Sequence, residues 1–242
     1  MDYCSYMLKR ISALAALLLL PVVLSPADDN APATTNAASS LAPGSKILAP
    51  TNDGGMGSDG TPKDVNSYQV RIGELYAPGG ESYILPIRIP TLPDGQQFAT
   101  VHIRTQLLAV NNESNGLANA DLYGLGVRDT EKVLPADYYQ GAKADPKATL
   151  IQANFLTPNS KVRADPNTGP FVETSADGDA ALAKYLNDLC SKPGNAGKFI
   201  FLRISYDLDP IPDGNNAYML LTSGAGGDNE PPIITYTLGP KH

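Results

Sequence analysis

The chain contains no tryptophan, only two histidines and only two cysteines in 242 residues. Each scarcity removes a class of function. The lack of tryptophan weakens a glycan-binding reading, because a flat ring commonly covers the apolar face of a sugar, but tyrosine is plentiful, at 12 residues. His102 reads as a solvent-facing strand residue with no HxxxH, HExxH or Cys partner, and His242 is the last residue, so a metal triad or a Ser-His-Asp centre is hard to assemble. There is also no HExxH pair, no GxSxG elbow, no P-loop and no dinucleotide fingerprint. The Gly-x-Gly of Tyr123-Gly-Leu-Gly126 lacks its third glycine and reads as a bulge inside a strand. Positive charge is scarce too: 18 Lys and Arg against 25 Asp and Glu give a net charge of −7. That balance argues against nucleic acid and anionic membrane surfaces as partners, because both attract basic patches. No apolar run is long enough for a membrane span. Ile11 to Leu24 covers 14 residues, against roughly 20 for a spanning helix.

That short run is nevertheless informative. Lys9 and Arg10 precede it, and Ser25-Pro26-Ala27 follows with small residues at the −3 and −1 positions of a signal-peptidase site. Residues 1–27 therefore read as a cleaved secretory signal, which predicts a secreted, extracellular or periplasmic protein with no membrane attachment after cleavage. Loss of Asp2, Lys9 and Arg10 with the signal moves the net charge to −8. Cys4 leaves as well, so Cys190 stands alone and no intrachain disulfide is expected. Residues 28–49 are rich in Ala, Thr, Ser, Asn and Pro, with little to bury, and read as a disordered linker. Residues 50–66 look like a long loop of Gly, Asp and Asn leading into a folded domain that runs over 50–242.

From residue 68 onward the pattern is that of strands. Val101, Ile103, Thr105 and Leu107 alternate with His102, Arg104 and Gln106, the period of a strand with one buried face. Strands are also predicted over 68–72, 83–89, 120–127, 148–152, 171–174, 198–206, 217–222 and 233–238, with Pro86 suggesting an edge or a bulge. Ile200, Leu202 and Ile204 share one face, Phe199 and Phe201 start the other, and this strand is expected mid-sheet. One helix stands out over 179–189, where Leu182, Tyr185, Leu186 and Leu189 recur at 3–4 spacing and place Cys190 on the apolar side as a buried, inert thiol. Asp177 and Asp179 sit at its favourable end and Pro193-Gly194 stops it. The fold class is all-β: an antiparallel β-sandwich of jelly-roll type with one short helix.

Two regions carry candidate chemistry. Tyr138 and Tyr139 lie in a loop with Arg128 and Asp137 close in sequence, a possible sugar-contacting surface; the alternative is that one tyrosine plugs the bottom of the sandwich. Asp207, Asp209, Asp213 and Asn215 offer hard oxygen ligands for a structural calcium around a tight Gly turn, although the same residues suit ordinary turn chemistry. Asp53, Asp59 and Asp64, and Asp228, Asn229 and Glu230, are weaker sets of the same kind. Asn112-Glu-Ser114 is a glycosylation sequon that decides nothing by itself. Carboxylate pairs able to hydrolyse a glycoside are unavoidable among so many acids, yet most lie in turns, so the chain reads as non-catalytic.

Ile84-Leu-Pro-Ile-Arg-Ile-Pro90, Ala120-Asp-Leu-Tyr-Gly-Leu-Gly-Val-Arg128, Ala136-Asp-Tyr-Tyr-Gln-Gly141, the segment 148–158, Phe199-Ile-Phe-Leu-Arg-Ile-Ser205 and the closing strand over 231–237 carry a resemblance. Over about two-thirds of its length the chain resembles secreted bacterial, planctomycete-like β-sandwich modules of the DNRLRE-type, alginate-binding-like jelly rolls. The resemblance implies a jelly roll that binds polysaccharide, often with a structural calcium. Together these features lead to the expectation of an exported carbohydrate- or cell-envelope-binding module. The rival expectation is a structural surface or matrix protein that self-associates without a glycan site.

Overall fold

The structure, a computed structural model, describes residues 44–241 apart from 49, 52, 65–66, 68, 76–78, 113–115, 165–169, 211–215 and 224–231. The predicted signal over 1–27, most of the predicted linker, the sequon serine, the 228–230 acids and His242 lie outside the described residues. In chain order the strands are β1 (Lys46–Leu48), β2 (Gly54–Gly57), β3 (Pro62–Lys63), β4 (Gln69–Glu74), β5 (Gly80–Arg88), β6 (Gln96–Thr105), β7 (Leu107–Asn112), β8 (Ala120–Arg128), β9 (Thr149–Leu156) and β10 (Val172–Glu173). Helix α1 (Ala176–Cys190), β11 (Phe199–Tyr206), β12 (Ala217–Thr222) and β13 (Ile233–Pro240) complete the fold.

The named strands pair antiparallel in two sheets. One has four strands in the order β1-β13-β6-β10. The other has nine, ordered β7-β12-β4-β5-β11-β8-β9, with β2 on β5 and β3 on β2. Among the described residues this is the expected antiparallel sandwich with one helix. Its main core holds Tyr83, Leu85 and Ile87 of β5, Ile200, Leu202 and Ile204 of β11, Val101 and Ile103 of β6, and Ile234 of β13. As the apolar residues on both of its faces suggest, β11 is mid-sheet: it pairs with both β5 and β8, and all eight of its residues are buried.

Several elements depart from the sequence reading. The linker assigned to 28–49 ends too late, because Lys46–Leu48 forms β1 on β13 with Leu48 buried. The 50–66 segment is not one long loop either: it contains β2 and β3, and β2 lies along β5 over Glu81–Ile84. Three small glycines hid this strand by leaving Met56 as its only side chain of any size. The strand expected to end at Leu107 instead stops at Thr105, and the chain changes sheets at Gln106. The buried Gln106 takes Arg163 Nη1 at 3.1 Å on its side chain and Thr222 N at 3.1 Å on its carbonyl. Leu107 then opens β7, an element the alternation concealed because the period continues across the break. Pro86 is neither at an edge nor in a bulge. Its carbonyl accepts Thr51 N at 2.9 Å, so its missing N–H faces the side where, among the described residues, only 50–51 run alongside, and it costs no ladder bond.

Helix α1 starts three residues earlier than predicted. Ser175 is its N-cap, with Oγ accepting Gly178 N at 3.1 Å. The predicted Leu182, Tyr185, Leu186 and Leu189 are all buried. The helix also covers the edge of β6 that the two-residue β10 leaves open. The Asn187 carboxamide accepts Phe98 N and donates to Phe98 O, both at 2.9 Å, replacing a neighbouring strand.

Candidate functional site

The outer face of the nine-stranded sheet is not bare. Residues 129–148, between β8 and β9, fold back over it as a flap that carries the tyrosine loop. Beneath the flap Met56, Ile84, Phe199 and Phe201 form a second apolar cluster, with Leu125, Val133 and Tyr138 packed against it. Gly80 allows the flap to lie close, since a Cβ there would meet Tyr138 Oη at 2.5 Å.

The structure brings the four predicted contact residues together, and engages each within the protein. Asp137 is 1% exposed and ends a single 3-10 turn, Pro135–Asp137. Its carboxylate accepts Leu134 N at 2.7 Å and both terminal nitrogens of Arg128, Nη1 at 2.8 Å. The Arg128 guanidinium in turn lies 4.0 Å over the Phe201 ring. Tyr138 donates its hydroxyl to Gln140 Oε1 at 3.2 Å, and burial pushes its pKa up to about 12, aided by the charge of Glu74. Tyr139 donates to Lys143 O at 2.6 Å, while its backbone grips Ser82 Oγ in both directions.

The flap is anchored by a residue of the sheet without an assigned role in the sequence reading. Arg203, in the middle of the apolar strand β11, is 1% exposed. Its Nη2 meets Asp145 Oδ2 at 2.8 Å and its Nη1 donates to Asp137 O at 3.1 Å. The guanidinium lies 5.0 Å from the Tyr123 ring centre and 5.2 Å from that of Tyr139. Burial pulls the pKa of Arg203 down, and Asp145 pulls it back up. A charged residue inside an otherwise apolar strand was the available signal, since such a charge is buried only with a partner. This cluster of two tyrosines, an arginine and carboxylates is packed rather than set in a cleft, so it binds the flap down.

Of the four calcium candidates, the described residues include Asp207 and Asp209. Asp207 donates its backbone N to Asn119 O at 2.7 Å, and burial together with Asp121 raises its carboxyl pKa. Asp209 Oδ1 accepts Ala142 N at 3.3 Å, tethering the flap. Asp213 and Asn215 lie outside the described residues. Among the described residues, no three His, Cys, Asp or Glu side chains come together as a metal set. In the leading loop, Asp53 accepts the Tyr83 hydroxyl, Asp59 accepts Thr61 and Lys63, and Asp64 accepts Arg71 N at 3.3 Å.

His102 is less solvent-facing than its strand position suggested. Its Nδ1 is 3.0 Å from Asp179 Oδ2 and 3.2 Å from Thr174 Oγ1, so it braces the first turn of α1 against β6. Cys190 is half-buried, and desolvation pushes its thiol pKa up to about 11, which keeps it protonated near neutral pH.

An open groove of about 480 Å³ lies at the other end of α1. One wall is the 89–95 connection between β5 and β6 together with the first two residues of β6, held in a turn by Gly95 at φ 71° and by Gln96 N on Pro93 O at 3.1 Å. The last turn of α1 forms the opposite wall, and Lys241 closes one side with its N on Gly95 O at 2.8 Å. Asp94, Gln96, Gln97, Asp188 and Lys241 line it beside Leu92 and Pro93, and among the described residues no aromatic ring does. These polar residues lie too far apart in sequence for spacing to have revealed them. Among known proteins the chain matches no family model and no curated relative.

Proposed function

We propose that this is an exported, non-catalytic β-sandwich module that binds carbohydrate or cell-envelope polysaccharide, and that the groove at the C-terminal end of α1 is its contact surface. The supporting observation is the contrast between two regions. The tyrosine loop spends its polar groups on its own fold, whereas the groove offers two amides, two carboxylates and an ammonium in one concavity. Concave sites with a few convergent polar groups are where small ligands and sugar chains settle. The test is retention of the secreted chain on a panel of immobilised polysaccharides, with calcium and then with EDTA. Retention should fall at least about tenfold for the Gln96→Ala, Gln97→Ala double variant and persist for Tyr139→Phe. The reverse pattern would move the site to the flap, and loss with EDTA alone would implicate the Asp207 loop. No retention of folded, monodisperse protein on any polymer would overturn the reading.

One observation favours the rival, self-associating role. Strands β7 and β9 end the nine-stranded sheet, neither contains a charged residue, and Leu150 of β9 is 44% exposed. Uncharged edge strands are sites of strand addition. Sedimentation at rising concentration separates the two: a reversible dimer or longer array supports self-association, and a monomer at all concentrations removes it.

A further inference from the structure

We infer that His102 and Glu173 form an open site for a divalent transition ion of the Zn(II) or Cu(II) class, with Asp179 fixing the imidazole from behind. The site lies at the opposite end of α1 from the groove and stands independently of the glycan reading. His102 projects from the face of β6 opposite the buried Val101 and Ile103. On β10, Glu173 pairs in register with Arg104, which makes it the diagonal neighbour of His102 across the strands. The side chains of His102 and Glu173 are 31% and 52% exposed, so an ion from solvent reaches both.

The ring proton of His102 is fixed by what surrounds it. Nδ1 lies 3.0 Å from Asp179 Oδ2 and 3.1 Å from Oδ1. A carboxylate only accepts, so Nδ1 carries the proton. Thr174 Oγ1 accepts Ile103 N at 2.9 Å and donates to Asp179 Oδ1, which holds that carboxylate beside the ring. In the neutral imidazole Nε2 then bears the lone pair, and it lies 3.9 Å from Glu173 Oε1. Two acceptors therefore stand side by side, an arrangement that a cation between them stabilises. The gap exceeds the roughly 3.2 Å reach of an N–H···O hydrogen bond, so a proton on Nε2 makes no such bond across it. A tetrahedral ion with bonds of about 2.0–2.2 Å holds its N and O donors roughly 3.4 Å apart. Rotation of a half-exposed glutamate side chain covers that difference.

The donors set the class of ion. An imidazole nitrogen beside a carboxylate suits zinc, copper or nickel, whereas calcium takes oxygen ligands. A carboxylate on the far nitrogen of a metal-bound imidazole fixes its tautomer and raises its basicity, which is the place Asp179 occupies. Arg104, on the same face, lies 4.6 Å over the Phe171 ring, and Glu173 and Asp179 set two carboxylates against it. With two protein donors the ion keeps water in its remaining positions, so the site is exchangeable rather than a closed structural one.

The test is zinc titration of the full chain carrying His242→Ala, in which His102 is the single histidine, read by its ring-nitrogen NMR resonances. Without metal, the neutral ring should carry its proton on Nδ1. Zinc should move the Nε2 resonance saturably and leave Nδ1 protonated, and calcium should move neither. Glu173→Gln should weaken zinc at least about tenfold. It should also keep the native urea midpoint, which shows that the loss reflects a ligand and not the fold. A proton found on Nε2, an Nε2 resonance indifferent to zinc, or equal zinc affinity in Glu173→Gln would each overturn the site. A response to calcium at the ring would overturn the class of ion.

Discussion

Glu81 shows how one side chain sets a pH response in this protein. It is 5% exposed, and Arg71 Nη1 reaches its Oε1 at 2.8 Å, while the buried Oε2 has no hydrogen-bond partner among the described residues. Burial outweighs the attraction of Arg71, and with the added charge of Asp64 it lifts the carboxyl from 4.5 to about 7. A raised carboxyl pKa means that the folded protein prefers the protonated form. Its contribution is therefore fully present below pH 4.5 and is lost as pH rises through about 7. A shift of this size corresponds to about 3 kcal/mol at most. Urea midpoints of the native chain should fall between pH 5 and 8, and those of Glu81→Gln should fall much less. Parallel curves for the two proteins would show that Arg71 keeps Glu81 charged throughout. Arg203 is the opposite case at the same scale. Its charge stays paired by Asp145, and the residue was legible in the sequence only as an anomaly in an apolar strand.

At the scale of elements, α1 depends on a residue that is not in it. Tyr185 crosses β8 over Gly124 and accepts Gly126 N on its hydroxyl at 2.6 Å. A Cβ on Gly124 would come within 2.6 Å of both ring Cε atoms, and a buried ring has little room to move aside. Gly124→Ala is expected to cost about 1–3 kcal/mol through overpacking, read as a lower urea midpoint with an unchanged slope. Gly124→Ala combined with Tyr185→Leu should recover part of the loss, and an unaltered midpoint in the single variant would show that the helix shifts freely. The sequence showed the apolar stripe of this helix correctly, because Leu182, Tyr185, Leu186 and Leu189 follow a local period. It did not show what the stripe lands on. His102 and Asn187 illustrate the same gap: one braces the helix start, the other caps an open strand edge, and both partners lie more than 70 residues away.

For the whole molecule the boundary of the fold lies earlier than composition suggested. β1 closes the edge of the four-stranded sheet through pairing of Lys46–Leu48 with β13, and it buries Leu48. A chain beginning at residue 50 should melt several degrees below one beginning at residue 44. The loss of one buried leucine is about 1.5–3 kcal/mol, and each kcal/mol moves Tm by about 2–4 °C at this size. Equal melting temperatures would make β1 an ornament of the edge. What the sequence determined by itself was local: strands wherever side chains alternate, one helix where they recur every third or fourth residue, and the excess of acid. Those follow from backbone periodicity, which a short window contains. Only the tertiary structure decided that the chain changes sheets at Gln106, that the tyrosine loop lies down over Arg203, and that residues 89–97, 187–191 and 241 enclose one groove. Those outcomes depend on which distant surfaces share a core, and no local pattern carries that information.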